Sequence, residues 1–250
     1  TATNGGVTRN GDDDYYEVLQ YACKAPTVNN SNINRTLIIM IPNTKDYGGV
    51  SYMWNDGTAI AYCPMSDYGY PLDFRGVIQH EAGGHGFGKL GDEYIYHNAF
   101  IQACNCICCP HDYELRIAHN LGWYQNLSLT GKMGEVPWRE FIFHPKYSNI
   151  VDIFEGGFMH TRGVYRSEQN SCMNNEIPYY NTISRYEIAK RIMEYAEESF
   201  SIEQFIANDI IENSSASPAP TKGRNEIPLS RNAGEYSHHP IFMGERMQIK

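Results

Sequence analysis

Apolar and polar positions along the 250-residue chain change period several times, and each change marks an element. Tyr15–Cys23 repeats its apolar residues at helical spacing, after a leading stretch rich in Asn, Asp, Gly and Thr. Thr36–Ile41 is a short, β-branched apolar run stopped by Pro42 and the turn residues Asn43 and Thr44, which predicts a buried strand. Gly48-Gly49-Val50-Ser51-Tyr52 and Thr58–Cys63 flank Asn55-Asp56-Gly57, the turn chemistry of a β-hairpin. Residues 73–89 read as a helix. From about 98 to 160 the pattern breaks into scattered apolar pairs and predicts mostly loop. Thr182–Phe200 returns to helical spacing through Ile183, Tyr186, Ile192, Met193 and Ala196, with Asn181 or Thr182 as its cap, and Ile202–Ile211 allows one more short helix. After it, Asn213 to Gly223 has too little apolar content to pack and reads as a linker.

Composition narrows the class. Hydrophobic residues make up 42% and charged residues 20%, a globular balance with enough apolar mass for one sizeable core or two small ones. A formal net charge of −9 without a Lys/Arg cluster argues against a nucleic-acid partner. No apolar run approaches the roughly 20 residues that a membrane-spanning helix needs. The chain opens Thr-Ala-Thr-Asn-Gly-Gly, without Met or an apolar signal region; this reads as a trimmed or processed start and leaves the compartment open.

Seven cysteines is an odd number, so at least one is unpaired or bound to something else. Cys104, Cys106, Cys108 and Cys109 fall within six residues. Disulfides or free thiols are favoured there over a second, structural zinc site, because C-x-C-x-C-C is not a zinc-finger spacing.

The chemically informative stretch is His80-Glu81-Ala82-Gly83-Gly84-His85-Gly86-Phe87-Gly88-Lys89-Leu90-Gly91-Asp92-Glu93-Tyr94. Zinc helices commonly place two histidines at i and i+4, one turn apart. Here they stand at i and i+5, which on a regular α-helix turns the second ring about 140° away from the first. A one-residue π-bulge restores the facing geometry, and Gly83-Gly84 is where such a widening is easiest. Four glycines between 83 and 88 are otherwise costly in a helix, at roughly 1 kcal/mol each, so a widened turn or a close backbone approach is expected. A lone His-Glu pair carries little weight, and His85 read alone is an ordinary buried histidine. Two histidines, a glutamate, a glycine-marked helix end and an acidic pair together form a coherent site. Two imidazoles plus a third ligand hold Zn²⁺ with one position left for water, and Glu81 stands where a general base is needed. Asp92 and Glu93 both fit as the third ligand, with His97 as an alternative.

These residues resemble the IgA-peptidase-like zinc metallopeptidases, a bacterial family of the metzincin type. Leu90-Gly91-Asp92-Glu93-Tyr94 is similar to the family's Leu-x-Asp-Glu-Tyr. Gly163-Val164-Tyr165-Arg166-Ser167 through Ser171-Cys172-Met173, leading into Arg185 and the last helix, looks like its Met-turn. Together the two segments span about 110 residues. The extra residue between the histidines departs from the family's pattern; a similar His-Glu-x-x-Gly-His helix occurs in the dipeptidyl peptidase III family. Cysteines often found before the last helix in the family are also replaced here, around Tyr179–Arg185.

The resemblance implies His80, His85 and Asp92 as zinc ligands, Glu81 as catalyst and Met173 as a hydrophobic floor under the metal. It implies an α/β (α+β) fold: a metzincin-like mixed twisted sheet with an edge substrate strand, a zinc helix, a Met-turn and a C-terminal helix. Gly57–Met65 would be that edge strand, receiving an extended peptide, although periodicity equally allows an interior strand. Tyr165, Tyr179 and Tyr180 are candidate oxyanion donors. The expected organisation is a catalytic domain over 1–212 and a linker with a C-terminal tail or strap over 213–250, in which His238 and His239 read as a surface pair rather than ligands. The expected function is zinc-dependent endopeptidase activity on extracellular or glycosylated polypeptides, by a secreted, cell-surface or periplasmic bacterial protein. Two other readings are a catalytically silent protein- or glycan-binding module and a zinc amidase acting on cell-wall peptide. Retained Glu81 favours an enzyme, and the acidic charge disfavours an anionic cell-wall partner.

Overall fold

The computed structural model describes residues 2–4, 7–9, 13–45, 48–100, 110–175, 177–211 and 240–249. In chain order the elements begin with β1 (Ala2–Asn4), β2 (Val7–Arg9), α1 (Asp13–Ala22), β3 (Leu37–Met40), β4 (Val50–Trp54) and β5 (Ala59–Tyr62). Helix α2 (Phe74–Ile78) runs directly into a π-helix (Gln79–Phe87). There follow β6 (Ile95–Phe100), α3 (Pro110–Asn120), β7 (Leu127–Ser128), α4 (Arg139–Phe143), β8 (Phe154–Gly157) and β9 (Met159–Arg166). The last elements are α5 (Cys172–Asn175), α6 (Thr182–Tyr195), α7 (Ile202–Asn208) and β10 (Ile241–Gly244). The result is a mixed α/β protein with parallel and antiparallel strand pairs. Among the described residues no helix is long and apolar enough to cross a membrane. The linker read at 213–223, the cysteine cluster, and His238 and His239 lie outside the described residues.

The chain divides into two compact units: Thr1–Phe87 with Arg231–Lys250, and Gly88–Ser230. In the first, the sheet order is β10-β4-β5-β3. Strands β4 and β5 form the expected hairpin, with Tyr52 opposite Ile60, and its turn is closed by Gly57 N donating to Trp54 O at 2.9 Å. Alternation along the pleat sorts the side chains by face. Val50, Tyr52, Trp54 and Ile60 pack with Leu19, Ile33 and the apolar side of α1. Ala61 and Cys63 pack with Val77 and Ala82 of the metal-motif helix.

One expectation changes here. Strand β5 is not an edge: β4 flanks it antiparallel and β3 flanks it parallel, paired from Leu37–Ala59 to Met40–Tyr62. A four-residue apolar strand fits an interior as well as an edge position, and the parallel return of β3 decides between them. Beyond the tail's undescribed part, residues 241–244 add a parallel strand to the outer side of β4, with Ile241 opposite Tyr52. A polar clasp secures that strand. Arg246 Nε donates to Asp56 Oδ2 at 2.8 Å and its Nη2 to Asn30 O at 3.1 Å, while Ile249 N donates to Asn30 Oδ1 at 2.9 Å.

The second unit is built on β9, which pairs in parallel with β6 and antiparallel with β7 and β8. Its core gathers Val136, Trp138, Phe141, Tyr147, Val151, Ile183 and Phe205. The stretch expected to be loop therefore holds α3, β7, α4 and β8 and parts of β6 and β9. Several of these have five residues or fewer, too short for a hydrophobic period to register. Helix α6 starts where its cap predicts, with Asn181 Oδ1 accepting from Ser184 N at 2.9 Å. It ends at Tyr195 rather than Phe200, where Glu197 takes a left-handed φ of 59°. Asp209, just past α7, ties the helices together: it receives Arg185 Nε at 2.8 Å and Nη2 at 2.9 Å, and Tyr147 Oη at 3.1 Å.

Asp209→Ala leaves the Arg185 guanidinium without its carboxylate. The expected cost is about 3 kcal/mol, read as a lower urea midpoint. A second expectation concerns His119, whose imidazole in α3 burial holds below its ordinary pKa, against the pull of the Tyr124 and Leu127 backbone. The unfolded chain protonates first as pH falls below about 6.5. Stability is therefore fully present above that pH and is lost as pH falls toward the lower folded value. Urea titrations at pH 7 and pH 5 should show a smaller loss in His119→Gln than in the wild type.

Candidate metal centre

The helix that carries the histidines starts on Asp73, whose side chain caps Arg75 N. After five α-helical residues the winding widens and stays wide for nine, Gln79–Phe87. The expected single bulge is thus a full π-helical segment. Glycines at 83, 84 and 86 carry no β-carbons to crowd the wider turns. Gly86 also lets the helix settle on β3, because a β-carbon there would stand 2.7 Å from Leu37 Cδ1.

The i, i+5 winding brings His80 and His85 into one row. Their rings stand nearly perpendicular, at 82° with centroids 4.8 Å apart, and the two Nε2 atoms are 3.1 Å apart. Two Nε2 ligands on a tetrahedral zinc at about 2.0–2.1 Å would be separated by about 3.3 Å, close to what is found. Beyond Phe87 the chain turns at Lys89, with φ 53°, rather than at either flanking glycine. The Lys89 ammonium lies 5.1 Å from the Trp123 ring centroid. Asp92 follows, and ligand atoms of His80, His85 and Asp92 all lie within 4.8 Å of one another, with all three residues buried. The donor set is two imidazole nitrogens and one carboxylate oxygen, a group able to hold a divalent metal such as zinc.

Glu81, next to the first histidine, is buried and anchored by β4. Ser51 Oγ lies 2.9 Å from Glu81 O and 3.0 Å from Oε2, so the hydroxyl's single proton serves two acceptors. Gly49 comes closer still: a β-carbon at that position would be 2.5 Å from Glu81 Cγ and 2.9 Å from Oε1. Nearby, burial and then the Glu81 charge push the Cys63 thiol well up, so it stays protonated.

Of the three candidates for the third ligand, Asp92 is the one found with the histidines among the described residues. Glu93 is held elsewhere: its Oε1 accepts from Asn126 Nδ2 at 2.9 Å, and Asn181 Nδ2 is 2.9 Å from both carboxylate oxygens. Burial pushes the Glu93 carboxyl up to about 8, against the pull of Asn126, Arg166 and Asn181. His97 is in β6, and its side chain lies outside the described residues. Met173 is fully buried in α5, and its carbonyl accepts from Glu93 N at 2.8 Å. The candidate tyrosines have other partners. Tyr179 donates to Glu168 Oε2 at 2.8 Å, Tyr180 pairs with Cys172, and Tyr165 pairs with Glu155.

Sequence reasoning missed Ser51, Asn126 and Glu168. Alternation along β4 carries a signal for Ser51, since it faces away from Val50 and Tyr52. Asn126 and Glu168 sit in irregular segments that carry none.

Fold and site together define a mixed α/β protein with a buried group of two histidines and one aspartate, and a glutamate adjoining the first histidine. No protein-family model matches the chain, and no curated protein matches it.

Gly49→Ala should be accepted only with displacement of the Glu81 side chain. The expected destabilisation is about 1–3 kcal/mol with an unchanged far-UV circular dichroism spectrum, measured by urea unfolding.

Proposed function

We propose that this chain is a zinc-dependent endopeptidase of the metzincin type, acting on extracellular polypeptides or glycoproteins. The observation that carries the reading is the convergence of His80, His85 and Asp92, with Glu81 beside the first histidine. The resemblance of His80–Tyr94 and of Gly163–Met173 to the IgA-peptidase-like family supports it and supplies the substrate class and the secreted location. In this reading Met173 forms the apolar floor of the site.

Zinc, when bound, supplies the positive charge that makes a water acidic near neutral pH and polarises the scissile carbonyl. The protein supplies the proton path and its alignment. Glu81 takes a proton from the attacking water and returns it to the departing amine. Ser51 holds Glu81 through both its carbonyl and its carboxylate, which fixes the orientation of that carboxylate. Burial keeps bulk water from competing for that carboxylate.

Elemental analysis of the wild type should find about one zinc per chain, and a chelator should abolish peptide cleavage until zinc is restored. His85→Ala should lose metal and cleavage together. Glu81→Gln should keep the zinc while kcat falls roughly 10²–10⁴-fold. A wild type without zinc, or a His85→Ala protein that retains it, would overturn the reading and leave a non-catalytic binding protein.

A further inference from the structure

The segment that delivers the aspartate is fastened on both sides of Asp92. Ahead of it, Asn126 closes two bonds to the Gly91 backbone: Gly91 N donates to Oδ1 at 2.8 Å and Nδ2 donates to Gly91 O at 2.8 Å. The same Nδ2 reaches Glu93 Oε1 at 2.9 Å, so one amide side chain spans Asp92 from the preceding residue to the following one. Behind it, Asn181 Nδ2 donates to both Glu93 oxygens and Met173 O accepts Glu93 N. Asp92 is itself held at its carbonyl by Phe158 N at 2.8 Å. All of these atoms belong to the second compact unit, and all of these side chains are buried.

We infer that Asn126, Asn181 and Glu93 form a positioning clasp that decides which of the two adjacent acids becomes the metal ligand. The inference rests on the zinc reading above. Asp92 and Glu93 are consecutive carboxylates on a non-helical segment, and either is chemically competent to ligate. Three amide N–H contacts commit Glu93 to the interior. With Gly91 and Glu93 both pinned, Asp92 is left as the acid facing the histidines, and its backbone is ordered before any metal arrives. Partners that orient ligands from behind typically change metal affinity by 10–100-fold when removed.

The helix cap offers a clean way to open the clasp. Serine at 181 keeps an N-cap oxygen for Ser184 N but has no amide to reach Glu93. Asn181→Ser should fold, by circular dichroism, with zinc affinity reduced roughly 10–100-fold and a changed visible absorption spectrum when Co²⁺ replaces zinc. Glu93→Ala should weaken zinc binding comparably. Glu93→Gln keeps the Oε1 acceptor that serves two of the three contacts, and should recover most of the affinity. A folded Asn181→Ser with wild-type affinity and an unaltered Co²⁺ spectrum would overturn the clasp. So would a Glu93→Gln protein as defective as Asp92→Asn, since Glu93 would then be the ligand. If Asn181→Ser does not fold, the Glu93 pair still decides the question. A wild type that binds neither zinc nor Co²⁺ overturns the zinc reading and the clasp together, whereas the other failures remove the clasp alone.

Discussion

The two histidines stand five positions apart rather than four, and the local structure adjusts to that spacing. On an α-helix the rings would diverge. Widening the winding over Gln79–Phe87 brings their Nε2 atoms to 3.1 Å. Widening weakens a helix, so the segment needs support from outside itself. It comes from the β4–β5 hairpin and β3, whose near faces are lined by Ser51, Ala61 and Leu37, and from glycines that allow close contact. Ser51 turns that packing into chemistry, because the same hydroxyl that meets the helix carbonyl also meets the carboxylate of Glu81.

The second unit meets a different demand, the burial of several acids. Glu93 and Glu168 both have their carboxyls raised by burial, and both are met by donors rather than left bare. Asn126 and Asn181 serve Glu93; Tyr179 and Thr182 N serve Glu168, the latter at 2.7 Å. Asn181 links these networks to the start of α6. A residue first read as a helix cap thus also fixes the segment next to Asp92.

Much of this was legible in the sequence where a local rule sufficed. The Asn-Asp-Gly turn, the cap of α6 and the spacing of His80, Glu81 and His85 each follow from nearby residues. The strand before Pro42 is present as well, but on the outside of the sheet beside β5 and not buried as expected, with Leu37, Ile39 and Ile41 exposed. What escaped depended on partners far along the chain. Whether β5 lies at an edge is settled by where β3 and β4 pair, not by its own four residues. Asp92 and Glu93 look alike in sequence and differ only in what meets them, and Asn126 is reached from 35 residues away. The short helices and strands between 110 and 157 fell below the length at which periodicity speaks.

The strand that closes the outer side of β4 has a consequence for how the molecule is made. Asp56 and Arg246, which clasp it, are 190 residues apart in sequence. A ribosome delivers the hairpin early and its neighbouring strand only after the whole second unit has been synthesised. During that interval the outer side of β4 presents unpaired backbone groups, a surface open to mispairing with other chains. Bringing together ends so distant also makes this a late, slow contact in folding. The nascent protein therefore passes through a stage in which the unit bearing both histidines is incomplete, and it stays so until residues 241–244 have been made.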